Sequence, residues 1–469
     1  MIFLIFHIID ILIIVHILIN KKNFYIIFAW ISICVSFPKI GIILYILLGL
    51  NNAKRIQKKW NIGENKYQKH QYFCQKKKYF YLKSFHKKTF QDISSIGNHF
   101  IKEKILYGCN IIPLLNGDSA YPEMIKAINN AKKTIFLSTY LFEGNGIGKE
   151  FINVLTAAHK RNIEVKILID GVGGLYCWPT TVYKLRKNKV PVFYFLPIFH
   201  IYYVTYLNFR NHCKLLLIDG EVGFTGGMNI HSDNVSFQGK SPRICDLHFK
   251  INGPILIHMQ EIFNKYWFFA TKKTIKNIPN YNFSTNGNVL CRGISTGPYQ
   301  KNTLLQNILI TALGSARKKI QIITPYFIPN NIIFESLISA SIRGIKIEII
   351  LSKNNNIKFI KGVIESFLPD LIKKGIIIYY YTNAFIHTKL FLVDDFFGLV
   401  GSSNLDTRSL KMNFEYNLEI YSKKIVKDLN IYFNNLKKRS LVVSMNDLKP
   451  KNFFIRLKNA FFCLFIPIL

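Results

Sequence analysis

Residues 211–219 read Asn211-His212-Cys213-Lys214-Leu215-Leu216-Leu217-Ile218-Asp219, and residues 386–394 read Ile386-His387-Thr388-Lys389-Leu390-Phe391-Leu392-Val393-Asp394. Gly226-Gly227-Met228-Asn229 follows the first stretch and Gly401-Ser402-Ser403-Asn404 the second. Counted from the histidine, each copy has Lys at +2, Asp at +7, Gly at +14 and Asn at +17, and the copies lie 387 − 212 = 175 residues apart. Five fixed positions coincide by chance roughly once in 20^5 starts, so a tandem pair is not motif noise. The apolar residues between Lys and Asp read as a buried strand. Its period of two puts His and Lys on one face. The glycine turn then brings Asn back toward them.

The surroundings of the motif repeat as well. Tyr121–Ala131 reads as a helix with Pro122 suited to its first turn, Thr134–Thr139 as a strand, Glu150–Arg161 as a helix and Glu164–Asp170 as a strand. The same order returns as Leu304–Ala316, Lys319–Thr324, Phe334–Arg343 and Lys346–Leu351. Ala131-Lys132-Lys133-Thr134-Ile135 corresponds to Ala316-Arg317-Lys318-Lys319-Ile320, an offset of 316 − 131 = 185. Alternating strands and helices predict an α/β fold, a mixed sheet flanked by helices. Repetition predicts two similar halves, over 106–285 and 286–445, that meet at one shared site.

The duplicated residue types suit phosphoryl chemistry. Histidine serves as nucleophile or as general acid near neutral pH. Lysine and asparagine are donors that hold phosphoryl oxygens and stabilise negative charge in a transition state. With two copies, one histidine attacks phosphorus while the other protonates the leaving alkoxide. His212, Lys214, Asp219, His387, Lys389 and Asp394 are therefore the candidate catalytic residues, supported by Asn229, Asn404 and Ser402. Asp219 and Asp394 have two readings, as turn caps at the end of an apolar strand or as electrostatic partners of the site. No carboxylate cluster suggests a metal, and two lysines would compete with one. The expectation is metal-independent phosphodiester transfer without a cofactor. The eight cysteines form no C-x-x-C pair and read as free thiols.

The 469-residue chain carries 62 Lys and Arg against 26 Asp and Glu, a net +36, with 49% hydrophobic residues and a mean hydropathy of +0.16. That apolar fraction excludes a wholly disordered chain. The charge predicts a polyanionic partner, nucleic acid or an anionic membrane. Much of it also reads as the Ile-, Lys- and Asn-rich spelling of an AT-rich genome. Residues 1–50 are apolar apart from a few polar positions such as Asp10, Lys21 and Lys22, and are expected to form two transmembrane helices, about 1–20 and 24–50. Residues 51–105 read as a basic juxtamembrane linker. Its first forty positions hold twelve Lys and Arg against Glu64 alone. The positive-inside rule then puts the catalytic part on the cytoplasmic side. The aromatic run 192–209 reads as a packed hairpin or as an acyl groove. The tail 446–469 reads as an interfacial or a docked segment.

These motifs resemble those of the phospholipase D superfamily, whose signature is a paired H-x-K-x4-D. Arg210-Asn211-His212, Gly226-Gly227-Met228-Asn229, Pro325-Tyr326-Phe327-Ile328-Pro329, Gly401-Ser402-Ser403-Asn404-Leu405-Asp406-Thr407-Arg408-Ser409 and Asn413-Phe414-Glu415 are similar to bacterial cardiolipin synthases. So are Ala29-Trp30, Pro38, Gly41, Tyr45 and Gly49 at the amino end. The resemblance implies a nucleophile from one half (His212), an acid/base from the other (His387), and a downstream acid that orients each histidine. Asp246 and Glu415 match those acids. Cys245 departs from the pattern, standing where the family usually has Trp. The implied reaction joins two phosphatidylglycerols into cardiolipin and glycerol at a bacterial inner membrane, with no nucleic acid as partner. A lipid hydrolase, a phosphatidylserine synthase and a nuclease of the same superfamily are the rival readings.

Overall fold

A computed structural model of the protein describes residues 2–21, 24–49, 60, 105–197, 209–275, 287–298, 304–355, 358–449 and 453–463. The expected basic linker (save Trp60 and Ile105) and most of the aromatic run, residues 198–208, lie outside them.

The amino end departs from expectation. Among the described residues no helix is long and apolar enough to cross a membrane. Helix α1 (Ile2–Asn20) is continuous, but the single helix expected over 24–50 is broken into α2 (Phe24–Ser36), α3 (Pro38–Leu44) and a π turn at Tyr45–Gly49. The cause is Pro38. It has no N–H to donate and restricts the residue before it, so Phe37 leaves the helix (φ −136°, ψ 69°) and Pro38 starts α3. The segments fold onto one another. The Tyr45 hydroxyl lies 2.8 Å from His16 Nδ1, and Lys21 Nζ donates to the Gly49 carbonyl at 2.6 Å.

The described strands form one large mixed sheet and two small two-stranded ones. The first half contributes β1 (Leu106–Leu115), β2 (Thr134–Thr139), β3 (Glu164–Asp170), β4 (Val192–Phe195), β5 (Leu215–Ile218), β6 (Val222–Gly226), a short β7 (Ile244–Cys245) and β8 (Leu247–Asn252). The second contributes β9 (Val289–Thr296), β10 (Lys319–Ile323), β11 (Phe327–Ile328), β12 (Lys346–Ser352), β13 (Ile377–Tyr381), β14 (Phe385–Ile386), β15 (Leu390–Val393), β16 (Phe397–Gly401), β17 (Leu405–Asp406), β18 (Glu415–Tyr421) and β19 (Ser440–Val442). The order is β4-β3-β2-β5-β6-β8-β1 and then β9-β18-β16-β15-β10-β12-β13-β19. The halves join where β1 and β9 run antiparallel, Leu106 opposite Cys291.

The helices cover this sheet because its central strands are apolar on both faces. Each side chain of β2, β5 and β15 is buried, as suits strands covered on both sides. In the first half α4 (Asn116–Asn129), α5 (Gly146–Lys160), α6 (Thr181–Lys187) and α7 (Ile255–Thr271) surround it. In the second α8 (Leu304–Ser315), α9 (Asn331–Ile342), α10 (Lys358–Lys373), α11 (Thr407–Lys411) and α12 (Lys423–Lys438) do so. In the tail, α13 (Phe453–Cys463) rests on α10 and leaves Phe453, Phe454 and Leu457 exposed. At the seam, Arg292 on β9 and Glu419 on β18 form a fully buried ion pair at 2.6 Å. Trp60 packs there against Tyr266 and Phe414.

Helix α4 begins five residues before the expected Tyr121, so Pro122 lies inside it rather than in its first turn. A tertiary contact moves the start. The Asn116 N–H donates to the Asp246 carbonyl, and the Asn116 side-chain oxygen accepts from the Asp246 N–H, both at 3.0 Å.

Candidate active site

His212 and His387 each stand just ahead of a buried strand, β5 and β15, and their rings come together across the halves with centroids 6.3 Å apart. What positions each histidine comes from the opposite half. The His212 N–H donates to the Phe414 carbonyl at 2.9 Å, and the Phe414 N–H donates to the Arg210 carbonyl at 2.9 Å. Likewise β7 pairs with β14 in parallel, and the His387 N–H donates to the Cys245 carbonyl at 2.8 Å. In each case the next residue along the borrowed strand is the acid. Hence Glu415 of the second half reaches His212 Nδ1 at 3.0 Å, and Asp246 of the first reaches His387 Nδ1 at 2.7 Å. The halves exchange their carboxylates.

The two contacts differ. The Ser402 carbonyl also lies 3.0 Å from His212 Nδ1. A carbonyl only accepts, so Nδ1 carries the proton and Nε2 presents a bare lone pair. Glu415 is held in turn by the Ser402 hydroxyl at 2.5 Å and the Asn413 amide at 3.2 Å. Burial pushes Glu415 up to about 7, against the pull of Lys214. For Asp246 burial acts in the same direction, but the facing His387 and Lys389 outweigh it and hold the carboxyl below its ordinary range. Burial lowers both histidines, reinforced by the motif lysines: His212 well below the usual imidazole range, His387 to about 4. The free site therefore holds two neutral imidazoles.

Lys214 and Lys389 are buried, and each donates to the carbonyl of the histidine two residues before it. Burial lowers them to about 8 and about 7. Asp246 and Glu415 offset only part of that desolvation, and a bound phosphodiester would favour both charged lysines further. Asn404 is buried with its carboxamide oxygen lacking a partner among the described residues, at a cavity of about 30 Å³ also lined by Lys389 and Ser403. Asn229 is tied by its side-chain oxygen to the Leu141 N–H at 3.3 Å. Gly227 lies so close to Asp246 that a Cβ there would sit 2.4 Å from a carboxylate oxygen.

Asp219 and Asp394 are not brought to the site. They stand at the far ends of β5 and β15, and each carboxylate accepts three backbone N–H groups. Those of Lys132, Lys133 and Thr134 reach Asp219 at 2.7–2.8 Å, and those of Arg317, Lys318 and Lys319 reach Asp394 at 2.8–3.1 Å. The recurrent Ala131 and Ala316 spellings are thus the two turns that these aspartates clamp. Sequence reasoning missed three other groups. Asp170, fully buried, accepts the Asn211 N–H at 2.8 Å and faces Arg210 at 3.5 Å. Ser352 does the equivalent work for Ile386 at 2.6 Å. Tyr140 sets its ring 5.5 Å from that of His212, with Lys214 Nζ over it at 5.7 Å. The terminal position of β3, an Asp after an apolar run, was the available signal for the first of these.

The family model described as cardiolipin synthase, PLD-like domain, matches residues 124–267 and 309–437, one match for each half. The chain belongs to the cardiolipin synthase family. A cardiolipin synthase of Clostridium perfringens (strain SM101) is 30% identical over 461 residues, 96% of this chain and 96% of its own length. Cardiolipin synthase 1 of Bacillus cereus is 30% identical over 366 residues, 76% of this chain and 72% of its own. Among solved structures, a phosphatidylserine synthase of Haemophilus influenzae superposes with a TM-score of 0.62 at 16% identity, covering 80% of this chain and 97% of that one. This last likeness concerns the fold. Membership in the cardiolipin synthase family agrees with the phosphatidyltransferase that the resemblance implied.

Proposed function

We propose that the chain transfers a phosphatidyl group from one phosphatidylglycerol to the headgroup hydroxyl of a second, giving cardiolipin and glycerol. The observation that supports it most is the facing histidine pair, each ring held through Nδ1 by a carboxylate of the other half. His212 Nε2 attacks phosphorus. A P–N bond forms, the P–O bond to the headgroup glycerol breaks, and His387 gives its Nε2 proton to the leaving oxygen. His387 then takes the proton of the incoming hydroxyl, whose oxygen attacks phosphorus and releases His212. Lys214, Lys389, Asn229 and Asn404 hold the non-bridging oxygens, so the scheme calls for no metal. Asp246, Glu415 and Ser402 orient the rings, while Asp219 and Asp394 brace the strands.

The assignment of roles follows the protonation asymmetry. An ionised Asp246 and a bound phosphodiester both favour the imidazolium of His387, the form an acid needs. Glu415, pushed up to about 7, supports that charge less at His212. A neutral His212 is the form a nucleophile needs.

The substrates lie in a bacterial membrane. The amino-terminal helices expose Ile11, Leu12, Leu18, Phe24, Phe28 and Ile40 and are suited to rest against acyl chains. Phosphatidylglycerol vesicles, a chelator and mass spectrometry of the products test the reading. Cardiolipin with free glycerol supports it. Phosphatidic acid as the sole product overturns it in favour of a hydrolase.

A further inference from the structure

The loop between β3 and α6 exposes aromatic rings where a folded chain ordinarily hides them. Trp178 is 88% exposed, Tyr176 69% and, one turn into α6, Tyr183 59%. Residues 171–192 hold Lys184, Arg186, Lys187 and Lys189 and no acid. Arg186, Lys187 and Lys189 are all exposed.

The root of this loop is tied to the active site. The Val172 and Gly173 N–H groups donate to the Asp170 carboxylate at 2.9 and 3.3 Å, the same carboxylate that accepts from Asn211 beside His212. Gly173 presses against the backbone of Tyr140, whose ring abuts His212. A Cβ on Gly173 would lie 1.9 Å from the Tyr140 carbonyl oxygen. The exposed aromatics therefore stand on a loop whose first residues are bonded to, or pressed against, groups that touch His212 or its neighbour Asn211.

We infer that Trp178, Tyr176 and Tyr183, with the cations of α6, form an interfacial platform that docks the active-site rim onto an anionic phospholipid bilayer. Trp and Tyr favour the headgroup level, where one end of the ring is apolar and the other wet. Exposed Lys and Arg without acids add attraction to anionic headgroups. The occupant is a bilayer rather than a protein because the charge is of one sign and the rings are amphipathic. A two-chain substrate must also leave a bilayer to reach His212, a step that rests on the reading of function above.

The test compares two forms of one substrate in wild type and the Tyr176→Ser/Trp178→Ala variant. On phosphatidylglycerol vesicles the variant should lose about tenfold in kcat/KM, through KM, the size expected from losing interfacial anchors. On short-chain phosphatidylglycerol kept monomeric it should match wild type. An unchanged rate on vesicles, or an equal loss on both forms, overturns the inference. A binding measurement separates this from failure of the proposed reaction. Tryptophan quenching by brominated phosphatidylglycerol vesicles should be reduced in Trp178→Phe relative to wild type, whether or not the protein makes cardiolipin. Equal quenching in the two proteins overturns the platform.

Discussion

Replacing Asp246 by Asn should damage the enzyme far more than replacing Glu415 by Gln, although both changes turn a histidine-bound carboxylate into an amide. In Asp246 one oxygen accepts the Leu247 N–H at 2.7 Å and the other faces His387 Nδ1 at 2.7 Å. An asparagine must keep its oxygen on Leu247, so its NH2 turns toward His387. That donor forces the proton of His387 from Nδ1 to Nε2. The ring can then no longer accept the proton of an incoming hydroxyl, and its positive form faces an amide donor. At Glu415 the neighbours permit the exchange. The glutamine oxygen can keep His212 Nδ1 and the Ser402 hydroxyl, while its NH2 meets Asn413. The buried Asn413 carboxamide oxygen has no partner among the described residues, so Asn413 can flip to accept. The Ser402 carbonyl still fixes the His212 tautomer. Only the charge is lost, a change from a charged to a neutral hydrogen bond of about 1–2 kcal/mol, or roughly 5- to 30-fold in rate. The tautomer error at His387 should cost about 10^3–10^4-fold, the size known where an amide replaces a histidine-orienting carboxylate. The assay is kcat for cardiolipin formation on phosphatidylglycerol vesicles, with unfolding temperature as the check on folding. Equal losses in the two folded variants would refute the reasoning.

Four further outcomes follow from the same geometry. His212→Ala and His387→Ala should each abolish cardiolipin formation by mass spectrometry while the proteins remain folded. Asp219→Ala should cost about 2–4 kcal/mol in denaturant unfolding, because three N–H groups lose a charged acceptor, yet the folded fraction should turn over near the wild-type rate. Arg292→Met should cost about 3–5 kcal/mol by leaving Glu419 as a buried unpaired acid at the seam. The lysines govern anion binding with pH. Lys389 and Lys214, lowered to about 7 and about 8, lose their protons as pH rises through those values, and a bound anion favours the protonated forms. Inhibition by inorganic phosphate should therefore weaken from pH 7 to pH 9, and pH-independent inhibition would contradict the assignment.

Local pattern made much of this protein legible. The strands Thr134–Thr139 and Glu164–Asp170 are residue for residue those expected, because buried β-branched and apolar runs between polar turns leave little choice. The duplicated His, Lys and Asn positions point to one site built twice, and the His212 and His387 rings do face each other. What stayed hidden depends on contacts between distant residues. Asp246 serves His387 and Glu415 serves His212 because β7 pairs with β14 and Asn211 with Phe414, across 141 and 203 residues of chain. No local period encodes that exchange. Asp219 and Asp394 carried two readings in the sequence, and their amide clamps answer to turns 75–87 residues away. The amino end shows the opposite error. Its apolar run suggests one long helix across Pro38, whose missing N–H ends α2.

The central claim is a covalent passage of the phosphatidyl group through His212. Wild-type enzyme mixed with phosphatidylglycerol labelled at phosphorus and quenched within the first turnover gives peptides in which the label is located by mass spectrometry. The phosphatidyl group is expected on His212. Label on His387 would contradict the roles assigned to the two histidines, and cardiolipin formed with no labelled histidine would contradict the covalent mechanism itself.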